Sequence, residues 1–144
     1  MAVTTKIDEF TVRARENELD NEPCSINGDS VQLYARSGTT SVGALLVPNA
    51  EGRSADALGV DGWANTMSVV ASWEPSARGY RLTAVLAVEP HAEDIWLDVI
   101  VNEAAPGRAR RRGQLVLSGA AGEFVYLRGD RHEPVRLLRF LLRP

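Results

Sequence analysis

The residues best suited to hold a ligand lie in two short runs, Ile95 to Asn102 and Gln114 to Ser118. Side chains on a strand alternate between faces, so Leu97, Val99 and Val101 share one face while Trp96, Asp98 and Asn102 share the other. If the second run pairs with the first, Gln114 and Ser118 join the second face, placing an indole beside a carboxylate, two amides and a hydroxyl. An indole offers a flat apolar surface to C–H groups, and amides and carboxylates fix hydroxyls by directed hydrogen bonds. The combination suits a polyhydroxylated ligand. Trp63, in Asp61-Gly62-Trp63-Ala64-Asn65, sits among turn residues and reads either as a second stacking platform or as an anchor for its loop.

Other chemistry is sparse. Asp98 and Asn102 lie four residues apart, about 13 Å at the usual strand rise, too far to share one small ion. His91 and His132 are the only histidines, and neither has metal-ligand spacing. No nucleophile elbow or phosphate-cradling glycine loop is present, so the chain reads as a non-enzyme with no cofactor. Haem ligation by Met67 and His91 is a remote alternative, because Met67 fits a core position better. Arg108, Arg110, Arg111 and Arg112 follow Pro106-Gly107 and read as a solvated hairpin tip, with contact to phosphate or to sulfated and uronic-acid glycans as the functional alternative. Arg128-Gly129-Asp130 reads as a strand-ending turn.

Elements that could position these groups follow from alternation. Phe10, Val12 and Ala14 alternate with Thr11, Arg13 and Arg15; Val31, Leu33 and Ala35 alternate with Gln32, Tyr34 and Arg36. Asn27-Gly28-Asp29 is a turn signal. Gly43 to Pro48 is a short apolar run, and Asn49 to Gly62 reads as a long loop. Met67 to Trp73 and Tyr80 to Val88 form a hairpin placed centrally, with Trp73 in phase with Met67, Val69 and Ala71 as core. Val135 to Leu142 fits a strand or a short helix, and strand is the reading adopted. The whole predicts an all-β, antiparallel, jelly-roll-like β-sandwich in a single domain spanning residues 1–144.

Composition is consistent with that class. With 144 residues, 44% hydrophobic and 24% charged, the chain can bury one continuous core. A net charge of -3 gives no general attraction to nucleic acid or to anionic membrane, and neither is expected as a partner. The one cysteine, Cys24, excludes an intrachain disulfide framework. The amino terminus has no apolar stretch of signal-peptide length, and no stretch approaches the roughly 20 apolar residues that span a bilayer.

Three strings carry a resemblance: Asn27 to Tyr34; Ala71-Ser72-Trp73 followed by Gly79 to Thr83; and Leu97 to Asn102. In this order they resemble carbohydrate-binding modules of family 9, over about Lys6 to Arg131. The resemblance implies a β-sandwich that binds oligosaccharide or polysaccharide without catalysis, commonly linked to a secreted glycan-active enzyme. It thereby implies an extracellular or periplasmic setting. It also implies a strand region ahead of the equivalent of Phe10, which alternation does not reveal here, so a shortened or excised module is expected. A pair of aromatics grips the sugar in such modules, and Trp63 and Trp96 are the candidates. The ligand-binding set expected is Trp63, Trp96, Asp98, Asn102 and Gln114, and the competing expectation is a structural or protein-interaction sandwich.

Overall fold

The structure is a computed structural model that describes residues 2–6, 24–49, 53–60, 62–77, 79–105, 107–108, 111–119 and 136–143. Among the described residues there are nine strands: β1 (Ala2–Lys6), β2 (Ser30–Ser37), β3 (Thr40–Pro48), β4 (Ser54–Gly59), β5 (Val69–Ser76), β6 (Gly79–Leu86), β7 (Asp94–Glu103), β8 (Gly113–Val116) and β9 (Leu138–Leu141). A single 3-10 turn, Cys24–Asn27, precedes β2, and no α-helix occurs among the described residues. All nine strands join one antiparallel sheet in the order β1-β6-β5-β4-β3-β2-β7-β8, with β9 pairing the other half of β7's free edge.

The sheet is curled. Tyr80, Leu82 and Ala84 of β6 belong to the same buried cluster as Val31, Leu33 and Ala35 of β2 and Leu97, Val99 and Val101 of β7. Three strands separate β6 from β2 along the sheet, so only curling brings these side chains together. Val42, Ala44 and Leu46, with Ala55 and Ala71, line the same inner face, and Trp73 packs against it, as its phase predicts. In β6 Tyr80, Leu82 and Ala84 are buried at every second position, the pleat sorting the strand into inner and outer faces, whereas β2, β3 and β7 are buried at nearly every position.

Three sequence expectations change. Asn49 to Gly62 is not one loop, because β4 pairs with β3 from Ala44↔Gly59 to Pro48↔Ala55. A strand does lie ahead of Phe10, since β1 pairs with β6 over five residues. The β5–β6 hairpin is not central, having only β1 beyond it. The β7–β8 pairing and the strand at the carboxyl-terminal end are as expected, whereas the strand read at Phe10 to Ala14 lies outside the described residues.

The outer face of β2, β3 and β7 is covered as well. From Val60 to Met67 the chain runs along β3 beyond the end of β4: Val60 N donates to Gly43 O at 2.8 Å, and Gly43 N donates to Asn65 Oδ1 at 2.9 Å. Ser41 N donates to Thr66 Oγ1 at 3.0 Å, and Met67 N donates to Ser41 O at 2.9 Å. This strap lays Trp63 directly on Gly43. A Cβ built at Gly43 would stand 2.5 Å from Trp63 Cγ, so only glycine permits the contact.

Candidate functional site

Register brings the sequence-derived candidates onto one face. Asn102 pairs with Gln114 across β7 and β8, while Ser30, Tyr34 and Arg36 of β2 stand opposite Asn102, Asp98 and Trp96. Directly opposed side chains of an antiparallel pair project to the same side, so the outer face carries rows of residues running across three strands.

The first rows form a closed polar network. Asn102 Oδ1 accepts from Gln114 Nε2 at 2.7 Å and from Gln32 Nε2 at 3.2 Å. Asn102 Nδ2 donates to Ser30 Oγ at 3.0 Å, and Ser30 Oγ donates to Gly28 O at 3.3 Å. Tyr34 Oη donates to Gln32 Oε1 at 2.8 Å. Asp98 Oδ1 accepts from Val99 N at 2.9 Å and Ser118 N at 3.0 Å, while Oδ2 accepts from Ser118 Oγ at 2.9 Å. Asp98 and Asn102 are 0% exposed. As placed, neither presents an atom to solvent, and their hydrogen bonds tie β7 to β2 and to the β8 end.

Trp63 is a half-buried loop anchor. Its ring centroid lies 5.4 Å from that of Tyr34 at an interplanar angle of 43°, and it packs with Tyr34, Val60 and Ile100. Gln114 is half-buried against Asn102.

Trp96 differs from the other four. It is 37% exposed, one row beyond the Tyr34–Asp98 pair, with Arg36 opposite it on β2 and Arg139 opposite it on β9. Arg139 Cζ lies 5.9 Å from the indole centroid, within cation–π range. Asp94 holds that guanidinium, Nε to Oδ2 at 2.7 Å, and Asp94 O accepts from Ser37 Oγ at 2.8 Å. Arg36 is exposed and makes no ion pair among the described residues. The exposed indole thus stands on the sheet with Arg36 and Arg139 at the opposing register positions, and the Arg139 guanidinium braces its ring from one side.

Sequence reading missed both arginines. Arg36 shows by alternation that it shares a face with Tyr34, but its partner strand, β7, is nonconsecutive and unreadable from local pattern. Arg139 lies in the tail whose strand period is too short to fix a face.

One member of the arginine cluster, Arg111, departs from a solvated tip. Arg111 is 5% exposed, and both its backbone N, at 3.1 Å, and its Nη1, at 3.4 Å, donate to Asn27 Oδ1. With Ala104 N donating to Asp29 Oδ1 at 3.0 Å, the Asn27-Gly28-Asp29 turn pins the base of the β7–β8 hairpin. Arg108 and Arg112 are exposed, Arg112 lying 3.6 Å from Glu103. Arg110, Arg128 to Asp130 and His132 lie outside the described residues, and His91 occupies a positive-φ turn position. Among the described residues no group of three or more His, Cys, Asp or Glu side chains is placed to hold a metal ion. Comparison of the chain with family models, with curated proteins and with solved structures gives no match.

Proposed function

We propose that this chain is a non-catalytic, carbohydrate-binding-like β-sandwich module whose ligand contact is the indole of Trp96. The observation that carries the reading is the exposure of Trp96 on a rigid sheet face beside Arg36 and Arg139, with the neighbouring polar residues already bonded to one another. The sandwich is the arrangement in which the β1-β6-β5 and β2-β7-β8 portions of the curled sheet face each other. The single apolar cluster that both portions share supports it. In this reading the contact set contracts from five residues to Trp96 and its flanking arginines, while Trp63, Asp98, Asn102 and Gln114 keep the face rigid. One ring stacked on a sugar contributes about 1 to 2 kcal/mol from apolar area, well short of the roughly 8 kcal/mol of a micromolar complex, so binding through this contact is weak, millimolar or weaker. Titration of the chain with oligosaccharides, followed by the Trp96 indole N–H resonance, tests this. Saturable shifts at Trp96, together with weaker calorimetric binding by Trp96→Ala, support it, and saturable shifts confined to other sites overturn it.

A second reading, a structural or protein-interaction module, is favoured by one specific feature. Leu115, Leu138 and Phe140 pair with the inner-face residues Val101, Leu97 and Ile95, yet all three are exposed, Leu115 at 70%. They continue the apolar inner face to the sheet edge, as they would against a linked domain or second copy. Sedimentation of the chain at increasing concentration separates the readings: self-association lost in Leu115→Ser supports this one.

A further inference from the structure

We infer that the ligand taken at Trp96 is an anionic glycan, one whose sugar carries a carboxylate or sulfate near the stacked ring; this rests on the glycan reading proposed above and names its ligand class. The row Arg36–Trp96–Arg139 crosses β2, β7 and β9 in register, so both arginine side chains leave the sheet on the face of the indole, with Cβ atoms about 5 Å from that of Trp96, and the Arg139 guanidinium lies 5.9 Å from its ring. Two charges of one sign flank the platform, and one carboxylate, Asp94, balances one of them through Arg139. Arg36 has no such counterpart among the described residues, so the row carries one net positive charge in an otherwise acidic chain.

Neutral sugar hydroxyls do not require this arrangement, since amides and carboxylates serve them equally well. A guanidinium, in contrast, offers two parallel N–H donors that match a carboxylate or sulfate edge. Arg139, braced by Asp94 and by the indole, keeps the ring oriented, and Arg36 is left to meet the acid group. The stacked ring supplies affinity and Arg36 supplies discrimination.

Two matched pairs of probes test this: cellotetraose against the β-1,4-linked glucuronic acid tetramer, and β-1,4-mannotetraose against the β-1,4-linked mannuronic acid tetramer. The quantity read is the ratio of affinities within each pair, from calorimetric or resonance titration of the intact chain. An exposed guanidinium–carboxylate pair is worth about a two- to fivefold preference, so the acid member binds about threefold tighter at low salt in at least one pair. The ratio falls toward unity at about 0.5 M salt, where the Debye length is only a few ångströms. Arg36→Gln brings the ratio close to unity at low salt. Arg81→Gln removes an equal charge from β6, where Arg81 pairs with Glu74, and leaves the ratio as in the parent chain. Equal or tighter binding of the neutral members overturns the anionic inference while the glycan reading stands. A ratio that Arg36→Gln and Arg81→Gln reduce alike assigns the preference to overall charge and also overturns it. Binding of no member of either pair overturns the glycan reading and this inference together.

Discussion

Replacing Asn102 by alanine removes the hub of the outer-face network, and the consequence can be worked from its partners. Asn102 accepts from Gln32 and Gln114 and donates to Ser30, and both Gln32 and Ser30 are fully buried. In the variant, Gln32 Nε2 loses its Asn102 acceptor where water does not reach, a loss of about 1 to 3 kcal/mol. Ser30 Oγ keeps Gly28 O but loses an incoming donor, adding about 1 kcal/mol. Gln114 is half-buried and can turn to water, so its share is small. The sum is about 3 kcal/mol, a large fraction of the roughly 5 to 15 kcal/mol that holds a domain together. For a chain of this size that lowers the melting midpoint by about 10 °C. Gln114→Ala, which leaves Asn102 Oδ1 with Gln32, lowers it by about 3 °C or less. Thermal unfolding followed by circular dichroism near 218 nm measures both. A shift below about 2 °C for Asn102→Ala would show that the network contributes little and that the face is kept polar for another purpose.

Four further outcomes follow from the same geometry. Gly43→Ala forces the new methyl against the Trp63 ring, and overpacking of that kind destabilises by about 1 to 3 kcal/mol; a red shift in tryptophan emission as the strap lifts is the accompanying sign. Asp98→Asn replaces an acceptor of three hydrogen bonds with an amide and lowers stability by about 2 kcal/mol in denaturant titration, with ligand titration of the folded protein unchanged. Trp73→Ala removes a core-packed indole whose Nε1 donates to Asn49 O at 3.1 Å, destabilising by about 3 to 5 kcal/mol, whereas Trp96→Ala leaves the midpoint within about 3 °C. Glu89 accepts from Thr39 Oγ1 at 2.6 Å and Thr39 N at 3.0 Å, and these bonds hold its pKa below 4.5. A carboxyl whose pKa is depressed on folding stabilises fully above its unfolded value and loses that contribution as pH falls through the folded one. Glu89→Gln therefore flattens the dependence of the melting midpoint on pH below 4.5 and leaves the slope at neutral pH unchanged.

Much of the outer face was legible because strand alternation has period two. Trp96, Asp98 and Asn102 share a face by parity alone, and the turn-bounded run at Gln114 lies close enough in sequence to pair with them. What parity cannot supply is the second layer. Whether an outward residue meets water or protein depends on the strap at Val60 to Met67 and on the turn at Cys24–Asn27, and neither has a period that announces where it packs. Asp98 and Asn102 therefore looked like ligand contacts when they are internal bonds. The nonconsecutive β2–β7 pairing hid Arg36 in the same way, since nothing local to Arg36 names Trp96 as its neighbour. β4 escaped because Ser54–Gly59 offers four small residues, one aspartate and one leucine, with Ala55 alone buried. Backbone pairing to β3 rather than side-chain pattern makes it a strand.

Trp96 as a ligand platform on a structural network is tested by the indole N–H chemical shift of each tryptophan during titration with the uronic acid tetramers. Saturable shifts are expected at Trp96, with Trp63 and Trp73 perturbed less. Both sit inside packed clusters. The midpoint falls in the millimolar range, and Trp96→Ala weakens binding by about five- to thirtyfold while remaining folded. Binding that survives Trp96→Ala unchanged, or a Trp96→Ala chain that unfolds, rules out the platform, because the indole would then be either irrelevant to the ligand or part of what holds the sheet together.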